Sequence, residues 1–197
     1  LLPNYKEHFT NLGVDDMIYP EQLAAQEIVS SLSLPWAKQY WTIFDKKLDL
    51  VAARVTPSSP LVGKKLINLS DFEDKVMHIL AIVRNGHTII PRGQDGIEVN
   101  DVLYITTMPK YLDQERNFCG QHKLEVHIVI IMGGSRIALK TAQLLPDDLN
   151  IKIIERDYDK CMKIYEVVAD HTLVIHGDGR DPDLLVNEGI KTTDAFL

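Results

Sequence analysis

Residues 128–145 read IVIIMGGSRIALKTAQLL, and this stretch decides the fold of the C-terminal part of the chain. Its first five residues are apolar and predict a buried strand, two glycines then predict a turn, and a helix follows until Pro146. A turn between a strand and a helix presents backbone N–H groups and the helix N-terminus to an anion. The stretch therefore predicts a phosphate-binding turn of the kind found in dinucleotide-binding domains.

Strands and helices continue to alternate after this turn. Strands are predicted at residues 149–155, 172–178 and 194–197, and helices at residues 158–170 and 180–189. Asp181 and Pro182 are typical of a helix N-terminus, and Gly189 is typical of a residue just past a helix end. The alternation predicts a Rossmann-like parallel sheet with right-handed crossovers over residues 124–197, truncated in its fourth strand.

The turn departs from the glycine fingerprint G-x-G-x-x-G at two positions. Gly133 can supply the tight turn, and Gly134 adds backbone freedom beside it. Ser135 stands where a glycine permits close approach of a phosphate, so its Cβ should crowd the phosphates, while its hydroxyl could donate one hydrogen bond. Ala138 replaces the third glycine, a substitution that the fingerprint permits. The loop is thus an imperfect fingerprint in the strand-turn-helix setting that it requires.

Acidic residues at the ends of the next two predicted strands extend this site. Glu155 follows Gly133 by 22 residues, close to the spacing of about 20 at which an acidic side chain meets the ribose hydroxyls. Its charge would repel a 2′-phosphate, which favours NAD or another adenine nucleotide with an unphosphorylated ribose over NADP. Arg156 could flank a phosphate, and Gly177 and Asp178 lie at the carboxyl edge of the sheet, near the expected adenosine.

Residues 46–118 predict a separate, compact α+β unit. LDLVAARVTP, residues 48–57, predicts a strand, and the Asn85-Gly86 dipeptide between two β-rich runs predicts a hairpin with a tight primed turn. DVLYITT, residues 101–107, predicts a further strand, and no predicted helix is long enough to cross over a parallel sheet. The unit shows no nucleophile or carboxylate pair at a catalytic spacing, so we expect ligand sensing or dimer contact of it.

Residues 1–45 are predicted to be the end of a preceding nucleotide-binding domain and a connecting segment. Residues 16–19 predict a short strand, and Pro20 stands at the first position of a helix that Pro35 ends. Residues 36–44 fit either a helix face or a strand. Core packing is favoured over an exposed partner surface for the large apolar side chains of this segment.

The composition limits the functional classes. With 28 acidic and 21 basic residues the net charge is -7, which argues against a nucleic-acid partner because phosphate neutralisation needs clustered Lys and Arg. The longest apolar stretch, residues 128–132, is far shorter than the roughly 20 residues that cross a bilayer. Two cysteines without a framework or metal spacing, and seven scattered histidines, favour a reducing cytoplasm and no metal site.

Several stretches carry a resemblance to a known family. IVIIMGGSRIALKTAQLL, IKIIERDYDKCMKI and VIHGDGRDPDLLVNEGIKTTDAFL resemble the nucleotide-binding domain of the Trk potassium-uptake regulatory subunits, the TrkA family, also called RCK or KTN. Within residues 46–118, SPLVGKKL, ILAIVRNGHTIIPRG and EVNDVLYIT are similar to the family's C-terminal regulatory domain, RCK-C. The opening LGVDDMIYPEQLAAQEIVSSL resembles the last strand and helix of a preceding nucleotide-binding domain. The resemblance implies an internal fragment of the duplicated arrangement of this family.

The resemblance also implies a regulatory protein of the cytoplasm, peripheral at the inner face of the plasma membrane. It implies a homodimer or higher assembly that gates ion flux through a membrane potassium-translocating subunit of the TrkH/TrkG type, in response to NAD(H), ATP or ADP. Such gating requires different nucleotide affinities in two states and no covalent step. No catalytic or metal-binding residue is predicted. The candidate cofactor-binding residues are Gly133, Gly134, Ser135, Arg136, Ile137, Glu155, Arg156, Gly177 and Asp178.

Three alternatives stay open at this point. An NAD-dependent oxidoreductase would need a general acid or base near the nicotinamide, and residues 46–118 offer none that is convincing. The same regulatory module could serve a different cation transporter or channel. Finally, the glycines at positions 133, 134 and 177 could serve only tight turns, with Glu155 as a solvated strand end.

Overall fold

The computed structural model describes residues 6–71 and 77–197, which fold as two compact units. One unit is Ser30–Glu125, and the other contains Val126–Leu197 together with the segment that precedes Ser30. Residues 1–5 and 72–76, which belong to the predicted first and second domains, lie outside the described residues. None of the described helices is long and apolar enough to cross a membrane.

The described N-terminal segment forms two helices, α1 (Lys6–Asn11) and α2 (Pro20–Ser33). Pro20 begins α2 and Pro35 follows its end, as predicted, because proline suits the first turn of a helix and cannot continue one. The strand predicted at residues 16–19 is wrong. Residues 14–19 form neither helix nor strand, since no neighbouring strand among the described residues supplies them with ladder hydrogen bonds.

Antiparallel strands make up the sheet of the unit Ser30–Glu125. They are β1 (Ala37–Ile43), β2 (Leu48–Arg54), β3 (His78–Arg84), β4 (His87–Ile89) and β5 (Val102–Thr107). Their order is β1-β2-β5-β3-β4, and each neighbouring pair is antiparallel. A helix, α3 (Leu112–Phe118), follows β5. This is the α+β unit that the sequence predicts.

The ambiguous aromatic segment is a strand of this sheet. Ala37 to Ile43 forms β1 and pairs with β2, so the sheet begins before the boundary predicted at residue 46. We therefore place the start of this unit at Ser30. Core packing, the favoured interpretation, holds for Trp36, which is 8% exposed, but not for Phe44, which is 73% exposed. The sheet, rather than the aromatic content of the segment, decides which of its side chains are buried.

The predicted hairpin is also present. Asn85 has a φ of 52° and Gly86 a φ of 79°, the two positive values that a primed turn between β3 and β4 requires. On the core face of the sheet, Val51 lies opposite Ile105 in the β2–β5 register, and both side chains are fully buried. Burial of such paired apolar side chains is the main stabilising term of this unit.

The other unit contains the parallel sheet predicted from the alternating pattern. Its elements are β6 (Ile128–Met132), α4 (Arg136–Leu144), β7 (Asn150–Glu155), α5 (Tyr158–Tyr165), β8 (Thr172–His176), α6 (Pro182–Asn187) and β9 (Ala195–Phe196). The order is β8-β7-β6-β9, and every pair is parallel. Asp181 caps α6 as predicted, because its side chain accepts the N–H of Asp183. The fold is a Rossmann-like α/β arrangement.

The strand register places the predicted site at one edge of the parallel sheet. Met132, at the end of β6, lies opposite Ile154, and Glu155, at the end of β7, lies opposite His176 at the end of β8. The loops that follow these three strands therefore lie side by side. In open parallel sheets this carboxyl edge is where ligands bind.

Candidate functional site

Gly133 makes the tight turn after β6. Its φ is +91°, a left-handed value that residues with a Cβ rarely adopt, and its N–H donates to the carbonyl of Ile154 at 2.8 Å. A Cβ at this position would meet no atom within 4 Å, so backbone conformation rather than space requires glycine here. The turn prediction for Gly133 is confirmed by this geometry.

Gly134 packs closely against α5. A Cβ here would lie 2.1 Å from Cδ1 of Ile164, a buried residue of α5. The N–H of Gly134 donates to Oε2 of Glu155 at 2.8 Å. This N–H group therefore faces a protein carboxylate, whereas the family resemblance implies that Gly134 would meet a phosphate.

Ser135 caps helix α4. Its Oγ accepts the N–H of Ala138 at 3.0 Å, which satisfies one of the first-turn donors of the helix. Accepting this bond leaves the hydroxyl proton able to donate to another group. Ala138, at the third fingerprint position, is 5% exposed, so a methyl group fits the packing between α4 and the sheet.

Arg136 and Ile137 open α4, where backbone N–H groups have no carbonyl acceptor within the helix. Their N–H groups are the donors that a helix N-terminus offers to an anion, and α4 is nine residues long. The side chain of Arg136 is 84% exposed and lies 3.5 Å from a carboxylate oxygen of Glu21. Because this ion pair is long and solvated, it restrains Arg136 weakly.

Glu155 ends β7 with a buried carboxylate that is 10% exposed. Its Oε1 accepts the N–H of Asp157 at 3.0 Å, and its Oε2 accepts the N–H of Gly134 and the ammonium of Lys160 at 2.6 Å. Burial alone would raise the pKa of this carboxyl, but the bonds from Lys160, Asp157 and Gly134 outweigh burial and lower the pKa to about 2. Glu155 is therefore ionised at neutral pH, and it is not a solvated strand end.

The other predicted residues lie at the same edge of the sheet. The carbonyl of Arg156 is hydrogen-bonded to Nε2 of His176 at 3.0 Å. Gly177 donates its N–H to the carbonyl of Glu155 at 2.9 Å, and a Cβ at Gly177 would lie 2.5 Å from Cδ2 of Leu184. These contacts tie the loops after β7 and β8 together.

Asp178 is directed at a neighbouring arginine. Its Oδ1 accepts Nε of Arg180 at 2.9 Å, and its Oδ2 accepts Nη2 at 2.7 Å. This forked ion pair lowers the pKa of Asp178 below its ordinary range. Both side chains are solvent-accessible, at 37% and 72%, so the pair can open at little cost to meet a ligand.

The sequence did not single out Lys160, and it indicates Ile164 only as one of the apolar residues on one face of the predicted helix 158–170. Lys160 reaches Glu155 from the first turn of α5, whose N-cap is Asp157, and Ile164 fills the space beside Gly134. The signal for Lys160 is present, because a basic residue in the first turn of the helix that follows the strand-ending acid can reach back to it. The apolar spacing of Ile164 predicts its burial but not its contact with Gly134, since that contact depends on how α5 packs on the loop.

The residues present fit an adenine nucleotide with an unphosphorylated ribose. A carboxylate offers about four acceptor positions, and Glu155 uses three, two on Oε2 and one on Oε1. One position on Oε1 stays open to a ribose hydroxyl. The first-turn N–H groups of Arg136 and Ile137 and the Ser135 hydroxyl are the donors available to phosphates. The ionised Glu155 disfavours a 2′-phosphate.

Along the chain, the antiparallel α+β unit is followed by a Rossmann-like unit with a glycine turn after its first strand. Two family models match it, the TrkA-C domain at residues 50–120 and the TrkA-N domain at residues 129–197. The chain belongs to the TrkA family, with a TrkA-C domain followed by a TrkA-N domain.

Relatives in sequence carry the same name. The chain is 29% identical over 187 residues to a Trk system potassium uptake protein TrkA of Vibrio alginolyticus, covering 94% of this chain and 41% of that protein. It is 29% identical over 188 residues to a Trk system potassium uptake protein TrkA homolog 2 of Methanosarcina mazei, with the same coverage. The chain thus spans about two fifths of the length of these relatives.

Solved structures share the fold. A GsuK channel bound to NAD matches 99% of this chain and 34% of its own with a TM-score of 0.58 at 17% identity. The GsuK RCK domain matches 99% of this chain and 41% of its own with a TM-score of 0.56, also at 17% identity. At this level of identity the similarity establishes the RCK fold.

Proposed function

We propose that this chain is part of a nucleotide-sensing regulatory subunit of a Trk-type potassium-uptake system. The observation that carries the proposal is the arrangement at one sheet edge of the TrkA-N domain. There the first turn of α4 presents the N–H groups of Arg136 and Ile137, and the ionised Glu155 lies beside the same loop. Donors for phosphates and an acceptor for ribose are the two parts that an adenine nucleotide needs.

The ligand that fits this arrangement is NAD(H), ATP or ADP. Their phosphates would meet the backbone N–H groups of Arg136 and Ile137 and the hydroxyl of Ser135, and the ribose would meet Oε1 of Glu155. The loop after β6 contacts both β7 and α5. A nucleotide bound at this loop can change the relative stability of two conformations if it prefers one of them. The regulatory role requires this difference in affinity and no covalent step.

The partner that fits the proposal is a membrane potassium-translocating subunit of the TrkH/TrkG type. The support is that the relatives in sequence are Trk system potassium uptake proteins. A protein with this role would act in the cytoplasm at the inner face of the membrane, as a homodimer or higher assembly. Nucleotide occupancy would then be communicated to the membrane subunit through a conformational change.

Ser135 offers a sharp test of the nucleotide site. Asp and Asn both cap helices as well as Ser does, so Ser135→Asp and Ser135→Asn should keep α4 intact. Only Asp places a negative charge where the phosphates would lie. We expect Ser135→Asp to weaken binding of NADH and ATP to the intact protein by at least about tenfold relative to Ser135→Asn, measured by titration calorimetry.

Potassium uptake is the functional readout for the same pair of variants. In cells whose potassium uptake depends on this protein, the response to nucleotide level should be lost with Ser135→Asp and retained with Ser135→Asn. Equal binding and equal uptake by the two variants would contradict the proposal. Steady oxidation of NADH by the protein in the presence of an added electron acceptor would favour the oxidoreductase alternative.

A further inference from the structure

One carboxylate joins three parts of the TrkA-N domain. Oε2 of Glu155, at the end of β7, accepts both the N–H of Gly134, from the glycine turn after β6, and the ammonium of Lys160 from α5. The Glu155 side chain is 10% exposed and that of Lys160 is 47% exposed. The ion pair is therefore sheltered on the glutamate side and reachable by solvent on the lysine side.

We propose that Lys160 is a positioning residue that determines how Glu155 recognises the ribose of a bound nucleotide. Lys160 and Gly134 together fill Oε2, which leaves Oε1 as the oxygen with an open acceptor position. A ribose hydroxyl is then accepted in one defined geometry. The inference rests on the proposed function, because it concerns the same site.

Lys160 is the side chain through which this geometry can be changed. The other two donors to Glu155 are the backbone N–H groups of Gly134 and Asp157, which a substitution does not remove. Without the ammonium, Oε2 keeps a single donor, and the carboxylate can rotate to share both oxygens among the remaining groups. The ribose hydroxyl would then no longer meet a carboxylate oxygen held in one orientation, although Glu155 itself is still present.

The contribution of the ribose is measured by comparing ATP with 2′-deoxy-ATP. A hydrogen bond to a charged group contributes about 1.5–3 kcal/mol, so the intact protein should bind ATP at least about tenfold more tightly than 2′-deoxy-ATP. In Lys160→Met this preference should fall to about twofold or less, and Lys160→Arg should restore it. The ratio separates ribose recognition from a general loss of affinity, which would weaken both nucleotides equally.

Lys163→Met is the matched control. Lys163 lies on the same helix, is exposed, and loses the same charge on substitution to Met. It should keep the preference of the unaltered protein for ATP. If Lys160→Met also keeps that preference, the inference is overturned while the proposed function stands. If the unaltered protein binds neither nucleotide, the proposed function is overturned and the inference with it.

A second readout needs no nucleotide. Lys160 is the strongest of the groups that lower the pKa of the Glu155 carboxyl. An NMR titration of the intact protein should show this pKa rising in Lys160→Met and unchanged in Lys163→Met. A pKa of Glu155 that is equal in both variants would contradict the positioning role of Lys160.

Discussion

Two buried glutamates, one in each unit, lie in opposite surroundings. Glu155 in the parallel unit has three hydrogen-bond donors, and its pKa is lowered to about 2. Glu115, on α3 of the antiparallel unit, is fully buried, and burial raises its pKa to about 7 even though the Thr107 hydroxyl lowers it somewhat. Among the described residues, no hydrogen bond of ordinary geometry reaches either carboxyl oxygen of Glu115.

The comparison shows that burial alone does not determine the charge of an acid. Several donors directed at the carboxylate favour the ionised form, whereas burial that too few donors offset favours the protonated form. Glu155 can therefore act as a charged acceptor at a ligand site, whereas Glu115 is a neutral part of a packed interior at slightly acidic pH. Burial of an acidic side chain is therefore not enough to assign it to a ligand site. The hydrogen-bond donors around its carboxyl group must be known as well.

The largest expected effect is that of Glu155→Gln. Three donors would lose their charged acceptor, so we expect a loss of about 3 kcal/mol in the free energy of unfolding of the parallel unit at pH 7. Hydrogen exchange at the β7 and α5 amides measures this local stability. Glu166→Gln removes the same charge at an exposed position after α5 and should change the stability little.

The pH dependence of that loss follows from the direction of the shift. The folded-state pKa of Glu155, about 2, lies below the value of about 4.3 in an unfolded chain. Its stabilisation is therefore complete above about pH 5 and is lost as the pH falls toward 2. The difference between the unaltered protein and Glu155→Gln should shrink at pH 3, and an equal difference at pH 3 and pH 7 would argue against an ionised Glu155.

A smaller effect of opposite sign is expected for Glu115→Gln. The folded-state pKa of Glu115, about 7, lies above its unfolded value. The folded protein therefore favours the protonated carboxyl, and ionising this carboxyl costs stability. Its ionisation lowers stability as the pH rises from about 4 to above 7. We expect Glu115→Gln to slow hydrogen exchange at the α3 amides at pH 8 by an amount equivalent to about 2 kcal/mol, and to have little effect at pH 4. A destabilised variant at pH 8 would contradict this.

Asp49 is an intermediate case and gives the smallest effect. It is fully buried in β2, and Oδ1 accepts the hydroxyl of Tyr40 at 3.1 Å. Burial raises the pKa of Asp49, and burial together with Asp49 raises the pKa of Tyr40 to about 12. Tyr40→Phe should raise the pKa of Asp49 further and destabilise β1 and β2 by about 1 kcal/mol at pH 7, as measured by hydrogen exchange.

Tyr104→Phe is the control for that variant. The Tyr104 hydroxyl donates to the exposed side chain of Gln39 at 2.9 Å, so both groups can bond to water instead. Its removal should change stability by less than half of the Tyr40→Phe effect. Equal effects would mean that the Tyr40 hydroxyl does not act through the buried carboxyl.

Much of the fold follows from local patterns. The strand-turn-helix stretch at residues 128–145 and the Asn85-Gly86 hairpin are predicted because their signals lie within a few residues. Residues 36–44 stay ambiguous in the sequence because aromatic and β-branched residues suit a strand and also space as a helix face. The neighbouring strand β2 settles the matter, and that pairing is tertiary information.

The site divides in the same way. The turn at Gly133 and the strand-ending position of Glu155 are predicted from spacing alone. The donors to Glu155 are not, because the N–H of Gly134 and the ammonium of Lys160 reach it only after α5 has packed against the loop. A residue's place in the sequence predicts where it lies, but its partners depend on elements that approach from elsewhere.

The contact between Gly134 and Ile164 has a consequence for protein engineering. Gly134 looks like part of a loop that could be moved between proteins. Its fit, however, depends on Ile164 in α5, the helix that follows β7. Transplanting residues 133–135 alone into another parallel sheet would therefore transfer their sequence without the packing contact to α5. A graft that keeps this contact must run at least from β6 to Ile164 in α5.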